Sequence, residues 1–172
     1  MAIYALGDIE PRIDPTAYIS PEAVVIGDVT IGAHSSIWPH AVLRGDDQRI
    51  EVGDRTSIQD GAVIHVNDEF PSLIGSDCVV GHLAHIEGTV IHDHVLIGSA
   101  AVTLRNAVIE SWCIVGAGAL VPGGKLVPSG SLAVGVPAKI IEGRASKEEI
   151  LDGVGKYVRR VDRYRAELRR IG

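Results

Sequence analysis

An aliphatic residue returns at every sixth position through most of this chain. Val25, Ile31, Ile37 and Leu43 set the rhythm, and Val52, Ile58 and Ile64 resume it. Ile74, Val80 and Ile86 follow, then Ile91 and Ile97, then Ile109, Val115, Val121 and Val127, with Thr103 as the one non-aliphatic member. The phase slips by three extra residues between Leu43 and Val52, by four between Ile64 and Ile74, and by one fewer between Ile86 and Ile91. A sixfold period is neither the 3.6 of an amphipathic helix nor the 2 of an ordinary half-buried strand. It is the signature of a solenoid in which each hexad makes one short strand and one turn, and three hexads close a triangular coil. The aliphatic residue points inward and its strand neighbours point outward, because strand side chains alternate.

Composition agrees with thin, regular layers. The chain has 172 residues, 46% hydrophobic but only 4% aromatic, with 20 glycines. Four places after each aliphatic residue the side chain is usually small, as at Ser35, Ala41, Thr56, Ala62, Ala84, Ala101 and Ala119. The two cysteines, Cys78 and Cys113, occupy this same small inward slot. They read as buried thiols rather than ligands or nucleophiles, and two such residues make no disulfide framework.

After Ala138 the pattern changes. Ser146 and Glu149 have capping-box spacing, and Ile150, Val154, Tyr157, Val158, Val161, Tyr164, Leu168 and Ile171 recur at helical intervals. The spacing predicts a helix over about 147–170 packed along the solenoid, weakened in its first turns by Gly153 and Gly155. The chain thus divides into a β-solenoid over 1–140 and a helical segment over 141–172. The arginines of that segment read as a solvated or subunit-facing side.

The hexads beginning at Leu43, Ile64 and Ile86 are three hexads apart and fall on one face. The outward residues after them, Arg44, His65 and Glu87, form a ladder with rungs ~4.8 Å apart. His85 is the other outward residue on the Ile86 strand, and His82 lies at the corner before it. The two long insertions flank this face, where a solenoid tends to carry its function. Imidazole and carboxylate donors gathered this way suit zinc or iron, whereas each histidine alone would be an ordinary solvated residue. His92 and His94 begin the next face and read as surface residues, and His34 and His40 have no partners the pattern can place.

The net charge of −6 and the lack of a basic patch interleaved with aromatics argue against nucleic acid. No stretch approaches the ~20 apolar residues that span a bilayer. The opening MAIYALGDIEPR lacks the basic and apolar regions of a signal peptide, so a cytoplasmic, reducing setting is expected.

LRGDD at 43–47, IQDGAVIH at 58–65 and VGH at 80–82, set in hexapeptide repeats that end in GVPAK at 135–139, resemble the gamma-class carbonic anhydrase family over nearly the whole chain. The resemblance implies a left-handed parallel β-helix with a C-terminal helix, assembled as a homotrimer. It implies reversible hydration of CO2 to bicarbonate by a metal-bound hydroxide, with one zinc or iron per subunit at the trimer interface. By motif match His65 is one ligand, and His82 is a second from the adjacent subunit. The family's third histidine falls where this chain has Glu87, so the ligand set departs from the pattern. Glu87 holds the matching position and His85 the matching chemistry, and both stay open as the third ligand. Arg44 and Asp46 match residues that bridge subunits, Gln59 a residue near the bound water or bicarbonate, and Asp60 its structural neighbour. Asp47, Asp68 and Glu69 are the nearby acids for proton transfer. Gly155 and Lys156 precede Tyr157 where short family members often carry asparagines. A hexapeptide acyltransferase using acyl-CoA and a non-catalytic trimeric scaffold are the competing expectations.

Overall fold

The computed structural model describes residues 2–172 and is a left-handed parallel β-helix with one helix laid along it. The inward aliphatic residues stack in three columns. On the first face the register runs Val25 to Leu43 to Ile64 to Ile86 to Thr103 to Val121. On the second it runs Ile31, Val52, Ile74, Ile91, Ile109, Val127. On the third it runs Ile19, Ile37, Ile58, Val80, Ile97, Val115, Ala133. These residues are buried and form one continuous core. Apart from Val24–Ile31 and Val42–Val52, each of which serves two faces, the strands have two or three residues, too few to stand alone, so stacking supplies the burial that a single coil lacks.

The two long insertions have a simple origin. Strand Val42–Val52 runs across a corner and serves two faces, Val42–Arg44 on the first and Ile50–Val52 on the second. The residues between form a projecting ribbon at that corner. The second insertion, at 66–71, sits beside it, and Gln48 Nε2 donates to the Asp68 carbonyl at 3.0 Å to tie the two together. Gly88 closes the same corner one coil on. Its φ is +53°, and a Cβ there would lie 3.0 Å from the Phe70 Cβ, so a side chain would collide with the insertion.

Cys78 and Cys113 are fully buried in the small slots and unpaired with each other. Burial pushes the Cys78 thiol up to about 12 and the Cys113 thiol in the same direction.

The helix spans Lys147–Glu167. The Ser146 hydroxyl caps it by accepting from the Glu149 N–H at 3.2 Å. Ile150, Val154 and Val161 are its buried residues, packed on the face that carries strands Ser36–Ile37, Ser57–Ile58 and Val79–Val80. Trp38 sits at the centre of this contact, within 5.0–5.5 Å of the Tyr18, Tyr157 and Tyr164 rings, and its indole N–H is shared by Ser36 Oγ and Ser57 Oγ. The helix stops three residues short of the expected position 170. Leu168 is its C-cap, and beyond it Ile171 is 84% exposed, so no wall remains to repay another turn. Arg165 is no free surface cation, since its guanidinium donates to the carbonyls of Thr16 and Ala17 and straps the helix to the first coil. The last strand, Lys139–Ile141, runs antiparallel to Leu132–Val134 and straddles the expected boundary at 140.

The buried thiols give a direct check. Both are expected to resist a thiol reagent at pH 8 in the native protein and to react fully in denaturant. Rapid native labelling would contradict the inward slots.

Candidate metal centre

The register sets Arg44 beside His65 and His65 beside Glu87 on three successive rungs of the first face. Arg44 pairs with Asp46, two residues on along the same strand and therefore on the same side. Asp46 Oδ1 lies 3.9 Å from His65 Nε2 and is a buried oxygen with no hydrogen-bond partner among the described residues. His85 and Glu87 also share one side of their strand, with Nε2 and Oε2 3.7 Å apart. One surface thus collects an imidazole, two carboxylates, a guanidinium and a second imidazole. Asp47, Asp68 and Glu69 surround it as exposed acids on the two insertions.

Ser72 holds the ladder's backbone in place. Its hydroxyl donates to the His65 carbonyl at 2.6 Å and accepts from the Gly88 N–H at 2.9 Å. One buried side chain therefore joins the end of the His65 strand to the end of the Glu87 strand. Ser72 holds the small inward slot two before Ile74, as Thr56 does before Ile58, but the phase slip across the 66–71 insertion hides it from a count made four places after Ile64.

His82 stands apart from this group, at the corner before strand His85–Glu87. Its Nδ1 lies 3.0 Å from Asp60 Oδ2. That contact orients the ring and leaves Nε2 as the free donor, the arrangement in which a carboxylate fixes a ligand histidine. The Tyr157 hydroxyl approaches Nε2 at 3.5 Å, beyond the usual range of a strong hydrogen bond. Burial raises the Tyr157 phenol, so it stays protonated at neutral pH. Gln59 turns away from the ladder. It is buried under the helix, where it lines a cleft of about 260 Å³ with Gly81, Gly98, Lys156 and Tyr157. The reason is its strand: it follows Ile58 on the helix-bearing face, not Ile64 on the ladder face.

His82 and Glu87 occupy opposite ends of one side of the prism, five residues apart along nearly extended chain that can reach about 18 Å. Accordingly, no three His, Cys, Asp or Glu residues come together to hold a metal ion among the described residues of one chain. What the chain presents is two separate groups of donors: His65, Glu87 and His85 on the ladder, with Asp46 behind them, and His82 at the corner, with Asp60 behind it. His92 is exposed, and His94 stacks on Trp112 with centroids 4.1 Å apart, so these two form no HxH pair.

Known proteins share the fold and the hexapeptide repeat. A bacterial transferase hexapeptide model of six repeats matches residues 10–45, and a GlmU-like C-terminal hexapeptide model matches residues 38–124. Gamma carbonic anhydrase 2, mitochondrial, of Arabidopsis thaliana is 41% identical over 150 residues, covering 84% of this chain. The chain spans 54% of the length of that relative. A probable carbonic anhydrase of Methanocaldococcus jannaschii is 40% identical over 149 residues, covering 86% of this chain and 94% of the relative. This chain belongs to the gamma-carbonic-anhydrase-like family of hexapeptide-repeat proteins. Among solved structures, a putative acetyltransferase of Bacillus cereus superposes with a TM-score of 0.93 at 32% identity, covering 97% of this chain and 98% of that one. Family membership thus rests on relatives that carry two different activity names. No helix among the described residues is long and apolar enough to cross a membrane.

Ser72 supplies the test of the ladder's support. Ser72→Ala removes two hydrogen bonds but leaves the 3.2 Å bond from the Gly88 N–H to the His65 carbonyl, so it is expected to cost about 1–2 kcal/mol in urea denaturation. An unchanged midpoint would mean that the ladder does not depend on it.

Proposed function

We propose that this protein is a carbonic-anhydrase-like enzyme that interconverts CO2 and bicarbonate at a metal centre shared between subunits. The observation that carries this reading is the division of donors into two incomplete halves. His65 and Glu87 sit in register on adjacent rungs, while His82 is held by Asp60 through Nδ1, leaving Nε2 with only the long 3.5 Å approach of the Tyr157 hydroxyl. The ladder half of one subunit and the corner half of another make a two-histidine, one-carboxylate set, which suits zinc, or iron with open positions.

A second feature supports the shared site. The outward column beside the ladder reads Val24, Val42, Val63, His85, Val102 and Leu120. An apolar stripe on the outside of a solenoid calls for cover, and a neighbouring subunit supplies it. A homotrimer satisfies this with three equivalent contacts, each bringing one corner histidine to one ladder.

A bound divalent metal would act as a Lewis acid and bring the pKa of water toward ~7. The chain's own residues do the rest. Asp60 fixes the His82 tautomer by accepting from Nδ1–H. The Arg44–Asp46 pair backs the ladder and sets an acceptor near His65 Nε2. Asp47, Asp68 and Glu69 on the insertions offer acceptors for the proton that hydration releases. Glu87 makes the protein's contribution one unit more negative than a third neutral imidazole would, which disfavours deprotonation of water at the site. The activity is therefore expected to rise at higher pH than a three-histidine centre requires. Two buried free thiols suit a reducing compartment such as the cytoplasm.

The His82–Asp60 pair supports one other reading. A histidine oriented by a carboxylate is also the general-base arrangement of an acyl transferase, the activity in the name of the Bacillus cereus structure. The ladder residues have no part in that reaction.

Stopped-flow CO2 hydration on metal-loaded protein separates the two. Wild type is expected to catalyse hydration, and Glu87→His to move the midpoint of the pH–rate profile downward, toward ~7. An unmoved profile would remove Glu87 from the site. Absence of hydration together with metal-independent acetyl transfer from acetyl-CoA would overturn the proposal.

A further inference from the structure

The first coil of the prism is an open end. Its three strands, Ala2–Tyr4, Arg12–Ile13 and Tyr18–Ile19, are each paired on one side only among the described residues. An unpaired edge of this kind is a template for a further strand. Of the eleven large apolar side chains exposed among the described residues, six gather here: Ile3, Tyr4, Leu6 and Ile9 from the first coil, and Leu168 and Ile171 from the segment after the helix. Ile3 is in register with Val25 and Leu43, so it is the last member of the inward column, showing through the end of the core.

The charged groups at this end are sorted by position. Ala2 N–H bonds to the Ala23 carbonyl, so strand Ala2–Tyr4 starts at the corner beside Pro21 and Glu22. Leu168, Arg169, Arg170 and Ile171 lie against that same corner, around a cleft of about 670 Å³. The strand runs toward the tight hairpin in which Leu6 and Ile9 bond to each other across Gly7 and Asp8, with Glu10 following. Arg12 pairs with Asp28. Asp14 and Glu22 are held by Thr16 and Ser20, and Arg165 by the Thr16 and Ala17 carbonyls, each keeping its charge. The near corner therefore sets Arg165, Arg169 and Arg170 against the single side-chain carboxylate of Glu22 and stays basic. Asp8, Glu10 and Arg169 make no ion pair among the described residues, and Arg170 only reaches the Gly172 carbonyl. The strand thus has an acidic hairpin at its far end and a basic segment at its near end, each carrying two exposed apolar residues.

We infer that this end is a twofold contact with a second copy of the chain, the two prisms meeting end to end. Antiparallel pairing of two Ala2–Tyr4 edges about a twofold axis exchanges the ends of the strand. It lays Asp8 and Glu10 of one copy over Arg169 and Arg170 of the other, and Leu6 and Ile9 over Leu168 and Ile171. The surface is therefore self-complementary in charge, in apolar character and in backbone hydrogen bonding, which is what an isologous interface requires. Opposite charges distributed evenly around the end would not survive this exchange, and a single-sign end would repel its own copy. With the trimer proposed above, the contact doubles three chains to six. The contact uses none of His65, Glu87 and His82, although Ile9 shares a shallow pocket with Asp46 and Asp47.

Light scattering and mass photometry at 0.15 M salt test it. Wild type is expected to give twice the particle mass of Arg169→Glu/Arg170→Glu, whose basic segment would meet the acidic hairpin with like charge. Adding Asp8→Arg/Glu10→Arg to that variant is expected to restore the doubled mass, because the pairing is remade with signs reversed. Equal masses for wild type and the double variant would overturn the inference, as would failure of the fourfold variant to recover when its circular dichroism is native. The mass of the smaller particle reads the trimer separately: three chains uphold it, and any other number rejects it without touching the twofold contact.

Discussion

Parallel stacking in register is the constraint on which everything else rests. Each coil hands its backbone hydrogen bonds to the next, so residues about 20 positions apart in sequence are held ~4.8 Å apart in space. Inward, this makes the columns of isoleucine, valine and leucine that form the core. Outward, the same register makes ladders of functional groups. Arg44, His65 and Glu87 are neighbours for the same reason that Leu43, Ile64 and Ile86 are. A one-residue slip would exchange both columns at once, sending histidines into the core, so core packing and site geometry are specified together.

Where regularity ends, the chain spends extra residues on particular tasks. The strand Val42–Val52 turns a corner without breaking, and the insertion at 66–71 packs against it through Gln48, Phe70 and Gly88. Ser72 then clamps the two ladder strands. The helix does comparable work on another face. It buries Trp38 and Gln59, and brings Tyr157 to the His82 corner. The ladder and the corner are built by separate devices, which fits their assignment to opposite sides of a subunit contact.

Much of this was legible in the sequence because a sixfold period leaves little freedom. Once Leu43, Ile64 and Ile86 are counted as every third hexad, the outward placement of Arg44, His65, His85 and Glu87 follows without knowledge of the coordinates. The corner position of His82 and the burial of Cys78 and Cys113 follow in the same way. Features outside the period were harder to read. The motif ties Gln59 to the metal, and its hexad sets it under the helix, in the cleft that Gly81 and Tyr157 line beside the His82 corner rather than on the ladder. The His82–Asp60 contact depends on how two corners stack, which periodicity does not encode. Leu168 and Ile171 continue the helical pattern in sequence but not in structure, because the wall that would bury them has ended. The outward valine stripe keeps the same sixfold period one place before the inward residues, but the period alone does not tell a covered apolar column from a solvated one.

The proposed metal centre depends first on His65 as a ligand. The most direct measurement is metal content per chain by elemental mass spectrometry, on wild type and His65→Ala prepared side by side with zinc and iron supplied and without chelator. The account requires about one metal ion per chain in wild type and its loss in the variant, with circular dichroism unchanged. Metal-free wild type, or equal metal in both proteins, would contradict it.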